Sequence, residues 1–416
     1  MLNTVQYPAF AILADRVAYG LLLFLSLAVS MSCLPLMEVK QVAGMSLPGL
    51  WHKLIVAVFI SLLLLSLIGE KPVLPPFFKT IAWLFALLLL VWLAIGAFFP
   101  AKDFGDEVRT VFISLSAVWL GWRMKLDECR LKLLVGVFSA GMVTVGLLVV
   151  FTQGSGFSIT EYFADRKNSL GPMLATAAVL CMGMVVDAKG KRALPVVLWG
   201  LALSALSVLL ILTIRARAAL LAVAMVLSLM LFRRFKSRYT VLSVWAAILM
   251  LVAVFMLMPH SVKQYVHQSL FMGFTMGDIS SGRMDRNYQA MSIWAQNPLL
   301  GQLVNAKEID VVHNYPLWQL FRFGLLGAFP LLLVYVLLIV KDIKELLALR
   351  AVSVMTVGYY ALLIGFVVSF FEYAFPFGPG TSVVLSFIFF GVALKSSSKT
   401  ESLSTEKLSM DNNNGI

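Results

Sequence analysis

Five basic side chains stand out against largely apolar sequence: Arg166, Arg215, Arg217, Arg283 and His313. Arg215 and Arg217 occupy Thr-Ile-Arg-Ala-Arg-Ala-Ala-Leu, a break of a few residues between two long apolar runs, and no acidic residue lies close in sequence to neutralise them. A guanidinium presents a planar fork of donors that matches phosphate oxygens, so the pair reads as a phosphate or diphosphate clamp; the alternative is snorkelling to lipid headgroups. Arg283 stands in Ser-Ser-Gly-Arg, where a helix start adds its amides to the attraction for an anion; the alternative is a solvated helix end. Arg166, in Asp-Arg-Lys-Asn, has an acidic neighbour competing for it.

His313 lies in Val-Val-His-Asn-Tyr-Pro, directly before another apolar run, with Pro316 suited to the first turn of a helix. A helix N-terminus and nearby arginines both disfavour imidazolium, so a neutral ring able to act as a general base is expected; the alternative is a helix cap. His52, His260 and His267 lack such a setting and read as structural. Asp103, Asp106 and Glu107, in Asp-Phe-Gly-Asp-Glu, form the one acidic group on the same side, readable as a divalent-cation site, a base or a solvated loop. No His-x-x-x-His, Cys-x-x-Cys or Asp-x-Asp cluster faces that side, so no metal site is expected. Glycine-rich and Walker A phosphate loops are absent as well, so nucleotide binding has no support and any group transferred must arrive already activated.

The elements that position these residues follow from composition. Of 416 residues 60% are hydrophobic and only 13% charged, with a mean hydropathy of +0.91. A water-soluble enzyme carries about 25% charged residues. Apolar runs of about 20 residues recur, each long enough to cross roughly 30 Å of hydrocarbon, and they are continuous rather than alternating, which argues helices and not a barrel. The expected fold is therefore an all-α polytopic membrane protein of twelve spans: 17–37, 50–68, 79–98, 107–122, 131–151, 169–187, 193–213, 218–232, 240–258, 315–340, 352–371 and 378–394. The fourth and eighth are short. The first run lacks a cleavable signal pattern and is expected to stay as a membrane helix.

Sixteen of the 33 Lys and Arg fall in five alternate short connections, and Arg16 with the tail lysines brings that side to 20, so the positive-inside rule places both ends in the cytoplasm. The same rule accounts for the net charge of +12 without a nucleic-acid partner. The chain then divides into nine helices over 1–258, one long outer loop over 259–314, three more helices over 315–394 and a Ser-, Thr- and Asn-rich tail, 395–416, expected to be disordered. Within the loop, Met284, Tyr288, Met291 and Trp294 or Ala295 recur at helical spacing, with Ser280 or Ser281 as cap and Asn297-Pro298 as stop. The stretch 262–276 is weakly amphipathic and suits the membrane interface. Cys33, Cys129 and Cys181 are far apart and read as packing residues.

Taken together, Ser-Gly-Arg283, Ile293-Trp294, Asn297-Pro298-Leu299-Leu300-Gly301, His313-Asn314 and Phe323-Gly324-Leu325-Leu326-Gly327 resemble the signature region of the O-antigen ligase and polymerase superfamily. His313 followed by ten residues and then Gly324 resembles the histidine-to-glycine spacing of the ligases. Ala216 departs from the pattern, standing where serine is common. The resemblance implies a metal-independent glycosyltransferase without cofactor, GT-C-like in fold, working at the periplasmic face of the bacterial inner membrane. Its donor would be a glycan on undecaprenyl diphosphate and its acceptor the lipid A-core, with membrane lipids as surroundings. His313 would be the catalytic base, and Arg217 and Arg283 would hold the diphosphate, Arg215 and Arg166 assisting. A polymerase acting on lipid-linked repeats, and more remotely a twelve-helix transporter or flippase, are the alternatives.

Overall fold

The computed structural model describes residues 7–34, 41–42, 45–68, 75–99, 105–153, 167–189, 193–234, 283–303, 312–349, 351–378 and 383–413. Almost all of them are helical. In chain order the helices are α1 (Tyr7–Met31), α2 (Leu47–Ser66), α3 (Pro76–Phe98), α4 (Gly105–Arg123), α5 (Glu128–Gln153), α6 (Lys167–Asp187), α7 (Ala193–Thr213), α8 (Arg217–Arg234), α9 (Arg283–Trp294), α10 (Tyr315–Ala348), α11 (Val357–Ser369) and α12 (Val384–Asn413). A two-residue antiparallel ladder, Gln41–Val42 with Met45–Ser46, leads into α2. Among the described residues seven helices, α1, α2, α3, α5, α6, α7 and α10, are long and apolar enough to cross a membrane. The protein is thus a multi-pass helical membrane protein.

The expected spans differ from this in several places. The first begins near Ile12 and ends at Met31, several residues earlier than the hydropathy boundary. α4 and α8 do form, at 19 and 18 residues, but α4 opens with Asp106, Glu107 and Arg109 and α8 has arginine at both ends, so they fall outside the seven. α11 has only 13 residues, about 20 Å at 1.5 Å per residue, short of a ~30 Å hydrocarbon core. The apolar part of α12 is Val384–Ser398, yet the helix runs on to Asn413 where composition predicts a disordered tail. Helix nucleation is the unfavourable step, so the buried apolar turns of α12 lower the cost of continuing. The expected ninth span, 240–258, and the stretch 262–276 lie outside the described residues.

Close backbone approach holds the second half together. A Cβ on Gly391 of α12 would stand 2.1 Å from the Val118 carbonyl of α4, and one on Gly121 would stand 2.0 Å from that of Ile388. Small residues let membrane helices meet where lipid offers no hydrophobic drive. Lys395 reaches across the same seam to donate to Met124 O (2.9 Å) at the end of α4.

The tenth span is expected as one helix and is instead broken. At Gly324 the backbone turns to φ 63 and ψ −174, so residues 315–323 form a short helix of their own and 325–348 the span. The amides that the break removes from the helical ladder find other acceptors: Leu325 donates to Pro298 O (2.8 Å) and Leu326 to Leu299 O (3.0 Å). Asn297–Gly301 is thereby docked on α10 by its main chain, with Gly301 itself at φ 57 and bonded to Asn297 O (2.7 Å). Trp92 of α3 locks the far side, its indole donating to Gly327 O at 2.7 Å.

Candidate functional site

Three local structures bring the chemically interesting residues to one end of the bundle. The first is the junction of α7 and α8, separated only by Ile214, Arg215 and Ala216. α7 closes in a Schellman motif, Arg215 N–H bonding Leu212 O and Ala216 N–H bonding Ile211 O, each at 3.1 Å. Glycine is the usual residue at the left-handed position of that motif, but here Arg215 occupies it with φ 58. The conformation costs an L-residue roughly 1–2 kcal/mol, and strain of this kind collects at functional sites. It lets α8 start at once, with Arg217 in its first position and Ala218 and Ala219 behind it. Ala216 is buried, and a Cβ on Gly171 of α6 would come within 2.4 Å of its methyl group, so α6 packs directly beneath the junction.

The second structure is α9. The expected loop helix forms, but its faces are reversed relative to a core-packing helix: Met284, Tyr288 and Met291 are at least half exposed, while Ala290 is fully buried. Ala290 meets Val312 and Phe321, with Ile293, Leu317 and Trp318 around them, and this small cluster fastens α9 to the start of α10. Arg283, Arg286 and Asn287 share the inward face with Ala290 by their spacing.

The third is the entry to α10 and the exit from α11. The N-cap of α10 is Asn314, whose Oδ1 accepts from Leu317 N at 3.0 Å. Histidine is therefore not the cap, and His313 is left with both ring nitrogens toward other side chains. Past Ser369 the chain turns back, with Phe371 N and Glu372 N bonded to Val368 O (2.8 and 2.9 Å). Tyr335 OH and Ser369 Oγ share a hydrogen bond of 2.8 Å that ties α10 to this turn.

Glu372 is the centre of the resulting arrangement. Its side chain is 5% exposed and its carboxylate faces two of the expected site residues: Arg283 Nη2 donates to Oε1 at 2.9 Å and His313 Nδ1 lies 3.5 Å from Oε2. Arg283 Nη1 also donates to Phe371 O at 3.0 Å. On the other edge of the imidazole, Nε2 is 3.4 Å from Arg286 Nη1.

Arg215, Arg217, Arg283 and His313, with Glu372 and Asn287, all line one cavity of about 530 Å³. Four of the five expected residues are thus brought together across nearly a hundred positions of sequence. The fifth, Arg166, lies outside the described residues; Asn168, two places on, lines the cavity. Sequence reasoning passed over Glu372, Arg286 and Asn287. Glu372 left a signal, being the only charged residue between Arg350 and Lys395. Arg286 and Asn287 left one too, three and four places after Arg283 on a helix already expected.

The acidic group near α4 does not join the cavity lining as far as it is described. Glu107 is ion-paired with Arg322, whose guanidinium lies over the rings of Trp318 (5.3 Å) and Phe323 (4.8 Å). Asp103 and the side chain of Asp106 lie outside the described residues, as do His260 and His267. Among the described residues no three His, Cys, Asp or Glu side chains are grouped as a metal site would need. Cys33 and Cys181 are buried as expected, whereas Cys129 is exposed at the start of α5 and does not pack.

Chemically, the cavity combines anion-attracting guanidinium groups and a helix N-terminus with one imidazole held between an anion and a cation. Neither a protein-family model nor a curated protein sequence matches the chain.

Proposed function

We propose that the chain is a GT-C-like glycosyltransferase that moves a glycan from a polyprenyl diphosphate to a sugar hydroxyl, as an O-antigen ligase does. One observation carries the reading: a histidine and three arginines from distant parts of a membrane protein line a single cavity at one end of the bundle. Water-soluble substrates need no such setting, but a donor whose diphosphate sits at the membrane surface does.

An acceptor hydroxyl is a weak nucleophile. His313 takes its proton as the oxygen forms its bond to the anomeric carbon, while the bond from that carbon to the diphosphate oxygen breaks on the opposite face. A single displacement inverts the anomeric configuration. The leaving undecaprenyl diphosphate keeps the electron pair, and Arg217, Arg283 and Arg215, with the N-terminal amides of α8, offset the charge that grows on its bridging oxygen. The sugar–phosphate bond is already activated, so no nucleotide and no cofactor enters.

In this reading the chain has twelve spans, both ends are cytoplasmic and the cavity opens to the periplasm at the bacterial inner membrane, with lipid A-core as acceptor. Deleting the gene tests it. The expected result is bare-core lipopolysaccharide with long O-antigen chains left on the lipid carrier. Core bearing one repeat unit would show ligation intact and polymerisation lost, making the chain a polymerase of lipid-linked repeats. An unchanged lipopolysaccharide would exclude both.

A further inference from the structure

We propose that Glu372 is a positioning residue that fixes the tautomer of His313 and ties the base to the donor clamp. This rests on the proposed glycosyl transfer for its consequence but not for its geometry. One buried carboxylate faces two partners: Arg283 Nη2 donates to Oε1 at 2.9 Å, while His313 Nδ1 approaches Oε2 to 3.5 Å without closing a hydrogen bond. A carboxylate accepts only, so Nδ1, the nitrogen that faces it, is the one placed to carry hydrogen. The lone pair is then on Nε2, the nitrogen a base must present to an acceptor hydroxyl. Arg286 faces that same nitrogen at 3.4 Å, and a guanidinium donates only. The two contacts therefore agree in placing hydrogen on Nδ1 and the lone pair on Nε2, the anion on one edge and the cation on the other.

The arrangement has two further consequences. Nε2 is engaged by Arg286 at rest, so the acceptor hydroxyl must displace that guanidinium, and an arriving diphosphate is the kind of group that draws it away. Because Glu372 also grips Arg283, a donor that moves Arg283 moves the carboxylate against His313. The base is thereby made ready by donor binding rather than before it. The turn that holds Glu372 is itself tied in, its Phe371 carbonyl taken by Arg283 and its Phe370 carbonyl by Asn314 Nδ2 at 3.4 Å.

The test reads the imidazole directly. The full chain is prepared in bilayers with ¹⁵N-labelled histidine, and the His313 signals are assigned by their loss in His313→Gln. The expected wild-type spectrum shows Nδ1 protonated and Nε2 bare. Glu372→Met, similar in size and without an acceptor, is expected to lose that bias and to lower kcat about 10²-fold or more, the usual contribution of a general base. It should also raise the donor KM because Arg283 loses its anchor. Glu372→Gln keeps one acceptor and should fall between. A wild-type His313 protonated on Nε2 overturns the proposal even if no variant folds. A folded Glu372→Met with the wild-type His313 spectrum and wild-type kcat overturns it too. A wild-type protein with the expected spectrum that transfers no glycan leaves Glu372 in place and refutes the proposed function instead.

Discussion

Replacing Gly324 by alanine probes whether the break in α10 sets the site. At φ 63 and ψ −174 the backbone is in a region that is essentially glycine's own, and holding another residue there costs of order 1–3 kcal/mol. The added Cβ would stand 2.3 Å from Leu299 O, a main-chain atom that cannot swing aside. Relief requires the segment 297–301 to move off α10, which breaks the bonds of Leu325 and Leu326 to Pro298 and Leu299, about 1 kcal/mol each. The total is about 3–5 kcal/mol. For a chain of this length each kcal/mol shifts the midpoint by about 1 °C, so Tm should fall by about 3–5 °C. The assay is thermal unfolding in mild detergent, followed by the monodisperse fraction on size exclusion after heating. Gly20→Ala is the control: it lies mid-helix in α1 with nothing within 4 Å of its Cβ, so it should be neutral or slightly stabilising. Transfer should also fall in Gly324→Ala, since α9 rides on the displaced segment. A Gly324→Ala protein as stable as Gly20→Ala would refute the account of the break.

His313→Ala should leave the chain inserted and folded and abolish transfer; normal O-antigen attachment by a well-expressed variant would remove His313 from the chemistry. Arg217→Ala and Arg283→Ala should each lower kcat/KM strongly, with lysine rescuing only part because it lacks the planar fork, as measured with a lipid-diphosphate donor. Arg283→Ala should in addition destabilise the fold, since it leaves Glu372 buried without its closest cation. Arg215→Gly and Arg215→Ala remove the same guanidinium, so they should share a modest loss of activity. The glycine variant should be more stable by about 1 kcal/mol because it fits φ 58 without strain, and a more stable alanine variant would contradict the strain argument.

Much of the fold could be read from residue type alone, because a membrane core rewards uninterrupted apolar runs and does so almost regardless of neighbours. α5, α6 and α7 lie within a few residues of their expected bounds for that reason. The break in α10 could not be read from hydropathy, since 315–340 stays mostly apolar across Gly324, with only Gln319 and Arg322 polar before it. It depends on Gly324 meeting a backbone segment more than twenty positions earlier. The face of α9 was misleading on similar grounds: its apolar stripe is regular in sequence, but what packs against Ala290 is Val312 and Phe321, and that contact turns the polar edge inward.

The residue types of the site were determined by sequence. Arginine at Arg215 and Arg217, and histidine at the start of α10, are costly beside membrane-spanning apolar runs, and such cost marks them without any coordinates. What only the tertiary structure decided is how they are paired. Glu372 and Arg286 take opposite edges of one imidazole because α9, the turn after α11 and the start of α10 meet at one point. Hydrogen bonds are short and directional, so which nitrogen of His313 faces an anion is set by ångström-scale packing of separate helices, and local sequence carries no record of that.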